Sequence, residues 1–128
     1  MLIQGRSMEP NYHNLQLVLL EKHDLRDVAQ DDVIAFRCNG LSAILVKRVA
    51  AVPGQTAVIR DGRLLVDGKV FRRYENETFR FSGLLSSPVS LKEGEYIVIG
   101  DNLDESRDSR YEEVGIVSAD SFIGRVVR

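Results

Sequence analysis

The chain has 128 residues, the length of one ordinary domain, and its 17 Lys and Arg stand against 19 Asp and Glu for a net charge of −2. That balance speaks against a general nucleic-acid binder, which carries a basic excess. With 44% hydrophobic and 28% charged residues, the composition is that of a folded globular domain and excludes a disordered or collagen-like chain. The single cysteine, Cys38, excludes an internal disulfide framework and a cysteine-based zinc site. No apolar run approaches the roughly 18 residues of a membrane span.

The pattern along the chain is mostly β: short apolar runs bounded by turn residues. Leu15–Leu20 reads as a first strand, and Leu25–Gln30 as a short helix. Val33–Arg37 is a second strand, ended by Asn39-Gly40. Ala43–Val52 is a third, long and nearly all apolar, ended by Pro53-Gly54, a pair suited to a type II turn. Ala57–Arg60 and Arg63–Val66 flank Asp61-Gly62, the signal of a hairpin with a type I′ turn. Residues 72–94 are polar, carry Pro88 and Gly94, and read as a loop-rich insertion. Tyr96–Ile99 is a later strand, and Ile116-Val117 and Ile123–Val127 are two more. These elements predict one all-β domain over residues 1–128, built of folded antiparallel sheets or a partly closed barrel.

Three places carry chemistry. Alternation puts Lys47 on the face of Leu45 and Val49, with Arg48 opposite. Two readings of Lys47 stand open on the strand alone. On an edge strand both cations snorkel to water. In an interior strand Lys47 is desolvated, its charged form is disfavoured, and its neutral amine can act as a general base. Ser7 lies in Gly5-Arg6-Ser7-Met8-Glu9-Pro10; taken alone, it reads equally as an ordinary turn residue or as an exposed nucleophile. The loop from Gly100 to Arg110 holds acidic residues, two arginines and two serines. Its spacing does not fit a calcium loop, and Arg107 and Arg110 oppose a cation. It reads better as a rigid, internally bonded support for a site. His13 and His23 sit in polar stretches without a ligand set, so exposed side chains and no metal are expected.

Taken together, these clusters resemble the bacterial type I signal peptidases, membrane-anchored serine proteases with a Ser–Lys dyad. Ser7-Met8-Glu9-Pro10 resembles the family's Ser-Met-x-Pro motif. Lys47-Arg48-Val49, ending in Pro53-Gly54, resembles its Lys-Arg-Val motif. Gly100-Asp101-Asn102, followed by Ser106, Asp108-Ser109-Arg110 and Gly115, resembles its C-terminal motif. The three occur in the family's order and cover most of the chain. The resemblance implies the signal peptidase fold in its compact Gram-positive-like form. It also implies Ser7 as nucleophile, Lys47 as general base, and Ser106 bonded to Lys47. Arg48 with Asp101 and Asp108 with Arg110 are implied as supporting ion pairs. The Ser7 N–H is implied as an oxyanion donor; Gly5, where some members carry a hydroxyl, offers none. Met8 and Val46 are candidates to line the pockets for small substrate residues. No cofactor is implied. The implied partners are signal peptides of exported preproteins and the membrane, through an anchor expected upstream. The catalytic domain is expected on the extracytoplasmic face.

Several positions depart from the family pattern. Asn11 and Tyr12 stand where Thr-Leu is usual, Leu15-Gln16 where Gly-Asp is, and Ala51 and Gln55 where Gly and Asp are. Leu103 and Glu105 replace the commoner Arg and Asn. Tyr12 either points into a substrate pocket and narrows it or packs away from it. Two other readings share the fold. A self-cleaving repressor of the same clan needs a DNA-binding domain and an internal Ala-Gly site, and this chain contains no Ala-Gly. A dedicated pilus- or secretion-assembly relative is the other.

Overall fold

The computed structural model describes residues 1–22 and 25–127, so the expectation for His23 lies outside the described residues. The chain begins with β1 (Leu19–Glu21), β2 (Val33–Cys38) and β3 (Ala43–Ala51). It then builds a separate sheet from β4 (Thr56–Arg60), β5 (Arg63–Val66), β6 (Lys69–Val70) and β7 (Val89–Ser90). It returns to the first sheet with β8 (Glu95–Ile99), β9 (Val117–Ser118) and β10 (Phe122–Val127). The larger sheet has six strands in the order β1-β10-β2-β3-β8-β9, the smaller has four in the order β6-β5-β4-β7, and all pairings are antiparallel.

The all-β, antiparallel reading matches this architecture, but barrel closure does not occur: both sheets stay open. Their outer strands β1, β9, β6 and β7 have only two or three residues, too few to pair around a closed wall. The strand expected at Leu15–Leu20 is shorter than its apolar run. Leu15 has φ 67, and only Leu19–Glu21 joins the sheet. The residues before it pair instead with the N-terminus, through a Leu2–Leu17 bridge and the Ile3 N–H on Gln16 O at 2.8 Å. The helix expected at Leu25–Gln30 is a single 3-10 turn, Leu25–Asp27. Its continuation fails because the Ala29 N–H is taken by Asp32 Oδ2 at 2.9 Å, a side-chain alternative to helical bonding.

Both faces of the central strands are covered. Val33 and Ala35 of β2 pack with Met8, Tyr12, Val46 and Val126, while Ile34, Phe36 and Cys38 pack on the other face with Val49, Tyr96 and Val98. Such two-sided burial is why β2 and β3 read as nearly continuous apolar runs. A third cluster fills the space between the sheets. At the far end of β3 a bulge leaves Ala50 unpaired between Val49↔Val98 and Ala51↔Ile97, so Ala50 and Ala51 both join that cluster with Ile97, Ile99, Ile59 and Leu64. Residues 72–94, the segment read as a loop-rich insertion, contribute to the core. They hold two 3-10 turns and β7, and they send Tyr74, Phe79, Leu85 and Leu91 into the same core.

Candidate active site

Ser7 sits on a turn that the N-terminal segment folds over the larger sheet. The Asn11 and Tyr12 N–H groups both donate to Met8 O, at 3.0 and 2.9 Å. Met8, 1% exposed, anchors the turn in the core, and the half-buried Ser7 beside it faces β3. Ser7 Oγ lies 2.6 Å from Lys47 Nζ.

Lys47 belongs to an interior strand, and this decides between its two sequence readings. It pairs across from Ile34 of β2, and it is 3% exposed. Burial pulls its ammonium down from the ordinary 10.5 to about 8; the nearby Asp108 charge works in the opposite direction and Arg110 offsets it. A lysine held there is neutral in a substantial fraction of molecules near pH 8, with its lone pair free to take a proton from the serine hydroxyl.

Two buried ion pairs frame the dyad. Arg48 grips Asp101 with both ends of its guanidinium, Nε on Oδ1 at 2.9 Å and Nη2 on Oδ2 at 2.7 Å. Asp101 also accepts from Tyr74 Oη and Asn11 Nδ2, each at 2.8 Å. Burial alone would raise this carboxyl, but the Arg48, Asn11 and Tyr74 donors hold it below its usual range. Arg110 grips Asp108 in the same two-pronged way, at 2.8 and 2.9 Å, and Arg110 Nη2 also donates to Leu103 O at 2.8 Å. Among the described residues no hydrogen bond joins Ser106 to Lys47. Ser106 Oγ donates to Asp108 Oδ2 at 2.8 Å, an oxygen that also accepts the Gly100 N–H at 3.0 Å. The hydroxyl hydrogen goes to the charged acceptor two residues away, and the oxygen keeps its lone pairs. The loop then reaches back to the serine turn: Asn102 N–H donates to Ser7 O at 2.8 Å and Asn102 Nδ2 to Arg6 O at 3.1 Å.

A cleft of about 660 Å³ opens beside the dyad, lined by Ser7, Met8, Cys38, Leu45, Val46 and Lys47 among others. One wall is an unused strand edge. β2 pairs with β3 from Ala43 to Arg48, but β8 pairs with it only from Arg48 to Ala51. Among the described residues, the outer backbone edge of Ala43–Val46 therefore faces the cleft without a partner strand.

A sequence profile of the signal peptidase, peptidase S26 family matches residues 1–128, the whole chain. The chain belongs to that family. Signal peptidase I T of Bacillus subtilis is 26% identical over 96% of this chain and 68% of its own length. Probable signal peptidase I-2 of Synechocystis is 28% identical over 96% of this chain and 58% of its own. The chain thus spans roughly two thirds of the length of such relatives. The crystal structure of a signal peptidase I from Enterococcus faecalis V583 superposes with a TM-score of 0.62, at 29% identity, covering 80% of this chain and 97% of that one. The chain is a serine-peptidase catalytic domain of the type I signal peptidase kind, a family of membrane-associated enzymes.

Of the residues that the signal peptidase motifs single out, the structure brings Ser7, Lys47, Arg48, Asp101, Ser106, Asp108 and Arg110 into one cluster. Met8 and Val46 line the cleft. Gly5 and Tyr12 do not: Gly5 has φ 89 and donates its N–H to Asn14 Oδ1 at 2.9 Å, and Tyr12 is buried as a member of the core cluster that includes Ile3, Val18 and Val126. His13 is exposed, 3.6 Å from Glu9. Sequence reading missed Tyr74 and Asn11 as partners of Asp101. Tyr74 lay in a segment read as loop, and its aromatic neighbours Phe71 and Phe79 were the available signal. Asn11 was visible only as a departure from the family pattern.

Proposed function

We propose that this chain hydrolyses the peptide bond between a signal peptide and the exported protein it leads, using Ser7 as nucleophile and Lys47 as general base. The observation that carries this reading is the 2.6 Å approach of the buried Lys47 Nζ to Ser7 Oγ. The neutral Lys47 amine takes the proton of Ser7 as Oγ attacks the carbonyl carbon. It then returns that proton to the leaving amine, and water repeats the cycle to release the acyl group. The Ser7 N–H is the assigned oxyanion donor. Arg48–Asp101 and Asp108–Arg110 are positioning pairs. Ser106 bears on Lys47 by holding the Asp108 carboxylate.

The substrate would enter as an extended strand along the free edge of Ala43–Val46, held by backbone hydrogen bonds. Met8 and Val46 suit small residues at the first and third positions before the cut. The proposal includes the chain acting as one catalytic domain on the extracytoplasmic face, tethered by an upstream anchor, with no cofactor and no nucleic-acid partner.

The test is mutational. Ser7→Ala and Lys47→Ala should each lower kcat by at least about a thousandfold, and the double variant should be little worse, because the two act as one unit. Lys47→Arg should fail equally, since a guanidinium keeps its proton at working pH. Near wild-type turnover by any of these variants would rule the dyad out.

A further inference from the structure

Four hydrogen bonds converge on Asp101, and one of them comes from the turn that carries Ser7. Oδ1 accepts from Arg48 Nε and Tyr74 Oη; Oδ2 accepts from Arg48 Nη2 and from Asn11 Nδ2, at 2.9, 2.8, 2.7 and 2.8 Å in that order. A carboxylate offers about four acceptor positions, so the group is fully used. Asn102 ties the entry side of the turn, bonding Arg6 O and Ser7 O. Asn11 ties its exit side. The nucleophile therefore sits on a short span fixed at both ends to one loop. Because Arg48 directly follows Lys47 in β3, the path Asn11–Asp101–Arg48 sets the serine turn against the strand that carries the base.

We propose that Asn11 is a positioning residue: its amide, through Asp101, holds Ser7 within hydrogen-bonding distance of Lys47. The inference rests on the Ser7–Lys47 reading above. The residue type fits the task. A neutral amide gives a charge-assisted bond to the carboxylate without adding a cation near a lysine that must lose its proton. An aspartate of nearly the same shape would repel Asp101.

The test compares Asn11→Ala and Asn11→Asp with wild type in the full chain, using a fluorogenic peptide with Ala at the first and third positions before the cut. Asn11→Ala should lower kcat roughly tenfold with KM within about twofold, as a loosened nucleophile does. Its kcat/KM acid limb should move to higher pH, because a displaced turn admits water to Lys47. Asn11→Asp should lose more than Asn11→Ala. Wild-type kcat, a loss confined to KM, or an unmoved acid limb would overturn the proposal. Should Asn11→Ala not fold, Asn11→Ser, whose donor is too short to reach, carries the same readouts. Ser7→Ala is run in parallel. Activity surviving in Ser7→Ala sinks the dyad itself, whereas an inactive Ser7→Ala beside an unaffected Asn11→Ala sinks only the role of Asn11.

Discussion

Held at 3% exposure, the Lys47 ammonium is less favourable in the folded chain than in the unfolded one, and its value falls from 10.5 to about 8. The sign of the resulting pH dependence follows. Between those values the unfolded chain binds a proton that the folded chain does not, so stability rises as pH climbs through that window. Below about 8 the penalty is complete. Lys47→Met removes it, and the variant should be more stable than wild type at pH 7 by roughly 1–3 kcal/mol, with the gain shrinking toward pH 10. Urea midpoints at the two pH values check this; no gain at pH 7, or one that persists undiminished at pH 10, would contradict a desolvated Lys47. Activity runs in the same direction. The base must be neutral, so kcat/KM should fall on the acid side with a midpoint near 8, far below free lysine.

At the level of elements, the Gly100–Arg110 loop does two jobs, holding two buried ion pairs and pinning the serine turn. Gly100 is where the two meet. A Cβ there would lie 2.0 Å from Ser106 Oγ and 2.8 Å from Ser7 O. Gly100→Ala should therefore destabilise the chain by about 1–3 kcal/mol, as overpacking does, and lower kcat by pushing Ser7 away from Lys47. Adding Ser106→Gly removes the nearer obstacle and should recover part of the thermal stability, though the Ser7 carbonyl still blocks full recovery. No recovery would place the strain elsewhere. Elements with strong local codes were legible in the sequence. Asp61-Gly62 does form the hairpin turn, with φ 52 and 76, and the apolar runs of β2, β3 and β8 match their strands. The charged residues of the two ion pairs were legible only through the resemblance of their motifs to those of the signal peptidases. What failed depends on tertiary partners. Residues 72–94 have no period, because Tyr74, Phe79, Leu85 and Leu91 enter the core from turns rather than from a strand. The bond from Ser106 to Asp108 was not read from the sequence, because spacing does not show where a hydroxyl hydrogen points. The burial of Lys47 could not be chosen from β3 alone; it required knowing that β2 lies beside it and that the Ser7 turn folds over it.

Across the whole molecule, the two sheets share a core between them, while the dyad lies on the larger sheet where β8 stops short and leaves an edge of β3 open. That division of labour makes the smaller sheet and residues 72–94 a support: they reach the site through Tyr74 on Asp101 and Phe81 O on Arg110 at 3.3 Å. Among the described residues no helix is long and apolar enough to cross a membrane. The most direct measurement is to incubate the full chain and its Ser7→Ala variant with a preprotein whose signal peptide ends in Ala-x-Ala, and to identify the products by mass. The expected result is a single cut after the last of those alanines by the wild type and an intact preprotein with Ser7→Ala. A wild-type chain that leaves the preprotein whole, cuts it elsewhere, or cuts equally well without the Ser7 hydroxyl would contradict the assignment.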